Sequence, residues 1–185
     1  MVTAIYLVRH AHSVYTPDEL ARPLSEKGME DREKITEILS ANDVDVFLSS
    51  PYVRAAQTIE GAASHYRKEI IHIEGFKERT LTETPAADFQ SAINKVWNDW
   101  NFSWEGGESN LAAQTRGVQS LFNVLEDYEG ENIVIGTHGN LMVLIMNYFD
   151  KRYDFEFWKR LEMPDIYKLR FQGKQFIDCQ RMMNP

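Results

Sequence analysis

At 185 residues the chain has the length of one domain, enough to bury most of the surface its unfolded form exposes, and two independent domains are not expected. With 43% hydrophobic and 26% charged residues it falls outside the disordered and fibrous classes. A formal net charge of −8 repels nucleic acid and acidic membranes, so an anionic ligand has to be held by a local basic cluster.

Ala4 to Val8 reads as a buried strand, apolar on both faces. Ser25 is placed to cap a helix running to about Asn42, with Ile35, Ile38 and Leu39 on one face. Asp45 to Leu48 is a second strand, Ser49-Ser50-Pro51 a turn, and Tyr52 to Tyr66 a helix. Ile70 to Ile73 is a third strand. Thr84-Pro85 has the form of a cap followed by proline at the first helical position, opening a helix to about Trp100. From Glu108 to Tyr128 the spacing of Leu111, Thr115, Val118, Phe122 and Leu125 predicts a further helix, ended by Gly130. Ile133 to Gly136 is a fourth strand, Leu141 to Phe149 the helix after it, and Ile166 to Phe171 with Gln175 to Cys179 a closing hairpin.

This alternation predicts an α/β fold, a three-layer sandwich with a mainly parallel sheet, helices on both faces and an antiparallel addition at the C-terminus. One domain is expected over 1–185, with an excursion over about 76–107 where Trp97, Trp100 and Trp104 gather beside Phe89 and Phe102. Those aromatics fit a substrate-contacting lid and a second small core equally well.

Cys179 is the only cysteine, which excludes an internal disulfide and fits a reducing compartment. Met1 to Ala4 carries no basic side chain, so no leader is expected and the cytoplasm is the expected location. Asn132 to Phe149 lacks Asp, Glu, Lys and Arg, yet Gly136 to Asn140 breaks it into a strand and a helix too short to span a membrane.

Ligands of open α/β sheets bind beyond the carboxyl ends of the strands. There the sequence places Arg9, His10 and His12 after the first strand, Ser49-Ser50-Pro51 with Arg54 after the second, Glu78 after the third and Thr137-His138-Gly139 after the fourth. Arginine grips phosphoryl groups through paired charge-assisted hydrogen bonds, and histidine can attack or donate near neutral pH. The amides opening the helix after Gly139 are a further candidate for holding an anion.

Ile5-Tyr6-Leu7-Val8-Arg9-His10-Ala11 resembles the strand and Arg-His-Gly signature of the histidine phosphatase, or phosphoglycerate mutase-like, superfamily. Ser49-Ser50-Pro51-Tyr52-Val53-Arg54-Ala55-Ala56-Gln57-Thr58, Gly107-Glu108-Ser109 and Val134-Ile135-Gly136-Thr137-His138-Gly139-Asn140 resemble its later motifs, in the same order. The resemblance implies a phosphoglycerate mutase-like fold, His10 as phosphorylated nucleophile, Arg9, Arg54 and His138 as the phosphate pocket, and Glu78 as proton donor, with Glu74 and Glu83 as competitors for that role. Ala11 stands in place of the usual glycine and His12 in place of Glu or Gln. Thr16 stands where the family has a phosphate-contacting asparagine, and is the candidate substrate ligand there.

The activity implied is metal-independent hydrolysis of small phosphate monoesters through a phosphohistidine, with no cofactor, a small phosphorylated substrate as partner, and neither nucleic acid nor membrane. The two arginines are expected to hold His10 unprotonated. Mutase-type phosphoryl transfer and a non-catalytic phospholigand module are the alternatives, and a metal site using His10, His12 and His138 is disfavoured because the strand does not continue to His12. His65 and His72 read as ordinary surface or packing residues.

Overall fold

The computed structural model describes residues 1–84 and 87–183. Its strands are β1 (Val2–Arg9), β2 (Val46–Ser49), β3 (Ile70–His72), β4 (Asn132–Thr137), β5 (Asp165–Gln172) and β6 (Gln175–Arg181). They form one sheet in the order β3-β2-β4-β1-β5-β6, with β1 to β4 parallel and β5 and β6 antiparallel. The expected mainly parallel sheet with an antiparallel C-terminal addition is therefore present.

β1 over residues 4–8 and β4 over residues 133–135 are apolar on both faces because helices cover both sides of the sheet. Alternation along β1 sends Ile5 and Leu7 into one core and Ala4, Tyr6 and Val8 into the other. The second core is closed by α1 (Glu26–Ser40) and α2 (Val53–His65), the first by α4 (Asn110–Asp127) and α5 (Gly139–Phe149). Ser25 caps α1 as expected, accepting from the Gly28 amide at 3.1 Å, and Ser109 caps α4 by accepting from Ala112 at 3.1 Å.

The buried face of α4 differs from the one the sequence spacing predicts. Leu111 and Thr115 are exposed, and the helix packs through Ala113, Gln114, Gly117, Val118, Leu121, Val124 and Leu125. The cause is a close approach: a Cβ on Gly117 would lie 2.8 Å from Leu141 Cδ1 and 3.0 Å from Ile145 Cδ1 of α5. Small residues make that contact, and counting large apolar side chains misses them.

The Thr84-Pro85 helix start involves Pro85, which lies outside the described residues. α3 (Phe89–Asn98) begins where Asp88 accepts from the Ser91 amide at 3.0 Å. A short helix that the sequence spacing did not predict, α6 (Phe155–Arg160), is capped by Asp154. Trp97 is buried between these pieces, stacked on Phe155 at 5.4 Å and edge-on to Trp100 at 5.7 Å, and it joins the first core. Trp104 is half-exposed, and its Nε1 donates to the Ala92 carbonyl at 3.2 Å. Among the described residues no helix is long and apolar enough to cross a membrane.

Candidate active site

Parallel pairing ends β1, β2 and β4 at one level: Arg9 lies opposite Thr137, and Ser49 opposite Gly136. Two backbone bonds carry the alignment past the strands, from the His10 amide to Thr137 O at 3.0 Å and from the Ser50 amide to Gly136 O at 2.8 Å. Arg9, His10, Ser50 and His138 are thus delivered to one edge, and the first turn of α2 adds Arg54.

His10 is buried, with Nδ1 donating to the Ala11 carbonyl at 2.7 Å. That bond puts the ring proton on Nδ1 and leaves the Nε2 lone pair facing the Arg54 Nε at 3.3 Å. Its pKa is depressed to about 3, first by burial, then by Arg54, with Arg9 and Arg22 adding smaller pushes in the same direction. The ring is kept neutral mainly by desolvation and only secondarily by the arginines, which corrects the weight given to charge above.

Arg9 Nη1 donates to the carbonyls of Leu161 (2.7 Å) and Glu162 (3.0 Å), so the chain after α6 fixes this guanidinium. A Cβ on Gly139 would sit 2.9 Å from Arg9 Nε, so glycine is needed for the close approach. His138 Nε2 lies 2.7 Å from Ser50 Oγ, which accepts from the Tyr52 amide at 3.3 Å and so has its own proton free for that nitrogen. The remaining imidazole proton then sits on Nδ1, and burial holds this ring too well below its ordinary pKa. Arg9 Nε and His138 Nδ1 are both buried without a hydrogen-bond partner, and the His10 and His138 rings are 5.2 Å apart. Tyr52 is edge-on to His138 at 4.8 Å, and the Arg54 guanidinium lies over its ring at 4.8 Å.

Glu78 accepts from the amides of Leu141 (3.0 Å) and Asn140 (3.1 Å) at the start of α5 and from its neighbour Arg79 (2.8 Å). The helix-opening amides that could have held an external anion are therefore taken by this internal carboxylate. The charge of Glu78 bears on both Arg9 and Arg54, whereas Glu74 and Glu83 are exposed. Gly107-Glu108-Ser109 supports the same segment: Glu108 makes a two-pronged pair with Arg116 (2.9 and 2.7 Å), whose Nη1 donates to the carbonyls of Gly75 and Lys77.

Thr16 lies apart from these hydrogen bonds, its hydroxyl donating to the Asp18 carbonyl at 2.8 Å. His12 is exposed and its Nδ1 meets the Ser25 hydroxyl at 2.7 Å, tying the loop after β1 to the α1 cap. Among the described residues no group of three His, Cys, Asp or Glu side chains is placed to hold a metal. Ser50, from the Ser49-Ser50-Pro51 turn, takes part in the cluster, and three residues beyond the expected set join it. Ser50 orients His138, the Asn140 amide donates to Glu78, and the buried Arg79 donates from Nη2 to the Asn140 side-chain Oδ1 at 3.3 Å. Glu19 pairs with Arg54, a contact between a loop and a helix that spacing in sequence does not disclose.

The model for the histidine phosphatase superfamily (branch 1) matches residues 5–182. The chain belongs to this superfamily. Membership makes it an enzyme of phosphoryl chemistry, a phosphoric monoester hydrolase. Among solved structures it is similar to the mycobacterial glucosyl-3-phosphoglycerate phosphatase, at 17% identity and a TM-score of 0.78 over 98% of this chain and 97% of that one. A phosphoserine phosphatase mutant from Entamoeba histolytica, in complex with phosphoserine, matches at 19% identity and a TM-score of 0.78 over 95% and 94% of the two chains. Bacillus stearothermophilus YhfR matches at 21% and 0.76 over 95% and 94%. At these identities the likeness is one of fold. A search of curated proteins finds no match.

Proposed function

We propose that this histidine phosphatase hydrolyses small phosphate monoesters in two displacements, through a phosphohistidine on Nε2 of His10. The observation that carries the reading is a neutral, buried Nε2 beside Arg54 Nε, with the His138 ring 5.2 Å from that of His10 and with Arg9 Nε and His138 Nδ1 buried and unpartnered. A phosphoryl group would engage these donors, which stabilise charge on its equatorial oxygens in a loose transition state. Nε2 attacks phosphorus as the P–O bond to the alcohol breaks, and Glu78 gives a proton to the departing oxygen. Water then attacks phosphorus and yields a proton to Glu78, while the P–N electron pair returns to Nε2. No step is assigned to a metal or cofactor. The printed names of the similar structures, phosphatases acting on glucosyl-3-phosphoglycerate and phosphoserine, fit a small phosphorylated substrate.

Rapid quenching of the enzyme with a labelled phosphate ester tests this. Phosphate should be trapped on His10, in a bond stable to base and lost in acid, and His10→Ala should abolish trapping and turnover without unfolding the chain. Label on Ser49, Ser50 or Cys179 would overturn the assignment.

A further inference from the structure

Arg54 is only 4% exposed, and every nitrogen of its guanidinium is engaged by the protein's own groups. Nε faces His10 Nε2 at 3.3 Å, Nη1 donates to the Glu19 carbonyl at 2.7 Å, and Nη2 lies 3.2 Å from Glu19 Oε2. The other oxygen of that carboxylate pairs with Nη2 of Arg22, whose guanidinium rests over the Tyr15 ring at 5.1 Å. Glu19 thus bridges two arginines, one carboxylate oxygen to each, through charge-assisted contacts of the kind that phosphate oxygens also make with guanidinium groups.

Nε and Nη2 share one edge of a guanidinium, the edge that grips an oxyanion through two parallel bonds. On Arg54 one nitrogen of that edge faces the attacking nitrogen and the other contacts the Glu19 carboxylate. A phosphoryl group close enough for His10 to attack, and held by the same edge, competes with Glu19 for Nη2. The carboxylate is able to leave: its side chain is 53% exposed and sits on the loop between Ser13 and Leu24.

We infer that Glu19 is an intramolecular competitor for the phosphate group, bound to Arg54 and Arg22 when the site is free of phosphate and displaced when an ester or inorganic phosphate enters. This rests on the phosphate-pocket reading of His10 and Arg54. Displacement taxes the binding of substrate and product alike, so Glu19 weakens ground-state affinity and hastens loss of phosphate without touching the reacting atoms. Arg22, deprived of its partner, is left beside the incoming dianion and offsets part of that tax.

Glu19→Gln keeps the size and an acceptor oxygen while removing the charge, at a half-exposed position where folding is not at stake. Binding of inorganic phosphate, measured by calorimetry, should tighten roughly two- to fivefold, the range expected when a part-exposed ion pair no longer competes. The ester concentration that half-saturates single-turnover phosphorylation of His10 should fall by a similar factor. Unchanged or weaker phosphate binding in Glu19→Gln would overturn the inference, since a carboxylate that merely positions Arg54 predicts that result. Arg54→Ala separates this failure from failure of the pocket itself. If wild type and Arg54→Ala bind phosphate equally, or neither binds it, the pocket reading falls and the competitor with it.

Discussion

Burying a neutral imidazole should make the folded protein acid-sensitive through His10 itself. In the unfolded chain this ring titrates near 6.5, and in the folded chain burial and then Arg54 hold it at about 3. As pH falls the unfolded chain takes up the proton first. The stability tied to this group is therefore present above about pH 6.5 and drains away between there and pH 3. Between pH 7 and pH 5 the unfolded ring goes from about a quarter protonated to almost fully so, while the folded ring stays neutral, which is about 2 kcal/mol. Against a total of about 5–15 kcal/mol that is a visible loss. His10→Asn removes the titration and leaves His138, which shifts in the same direction, in both proteins. Urea unfolding in phosphate-free buffer at pH 7, 6 and 5 is the assay. With a slope of about 2 kcal/mol per molar, the wild-type midpoint should fall about 1 M further than that of the variant over this range. Parallel midpoints would show that His10 is not held neutral by burial.

Glu78→Gln should slow phosphorylation by alkyl phosphates by about 10²–10⁴ and by p-nitrophenyl phosphate far less, because an aryl leaving group needs little protonation; trapped phosphohistidine measures the step, and equal slowing with both esters would make Glu78 a structural cap of α5. Trp97→Ala should cost about 3–5 kcal/mol in urea unfolding, as expected for a buried tryptophan stacked on Phe155. It should leave the ratio of kcat/KM for bulky and small esters unchanged, whereas a shifted ratio would mean that the segment over 76–107 contacts the alcohol.

The site was legible in the sequence to the extent that it hangs on strand ends. Arg9 with His10, Ser50 and His138 each directly follow a buried apolar run, and parallel register makes such positions meet regardless of what lies between them. Arg54 follows within one helical turn, so its place was fixed as well. Groups whose position depends on packing at a distance were not legible. Glu78 lies after a strand, but its attachment to the α5 amides is set by the path of the chain that Arg116 pins at Gly75 and Lys77. Glu19 reaches Arg54 from a loop with no periodic pattern. α6 is six residues long, too short to establish a repeat, and its one local sign is the Asp154 cap. The buried face of α4 escaped because close helix packing selects Ala113 and Gly117, which hydrophobic counting does not register.

A pocket that gathers Arg9 and Arg54 below the surface has to solve a solvation problem before any ligand arrives, since a buried charge without partners is costly. The chain meets it differently at each group. Arg9 is tied by Nη1 to two backbone carbonyls, which are fixed and cannot be exchanged for a ligand, and its Nε is a buried donor left over. The amides of α5 are satisfied by Glu78, a carboxylate adjacent in chain to the segment Arg116 clamps. Arg54 instead takes its counter-charge from Glu19, the most exposed of these partners and the one on an irregular loop. Fixed partners lie where geometry has to be held, and the exchangeable one lies on the edge that faces His10 Nε2. Among the described residues no Asp or Glu side chain forms a hydrogen bond or ion pair with His10, so desolvation keeps its lone pair available.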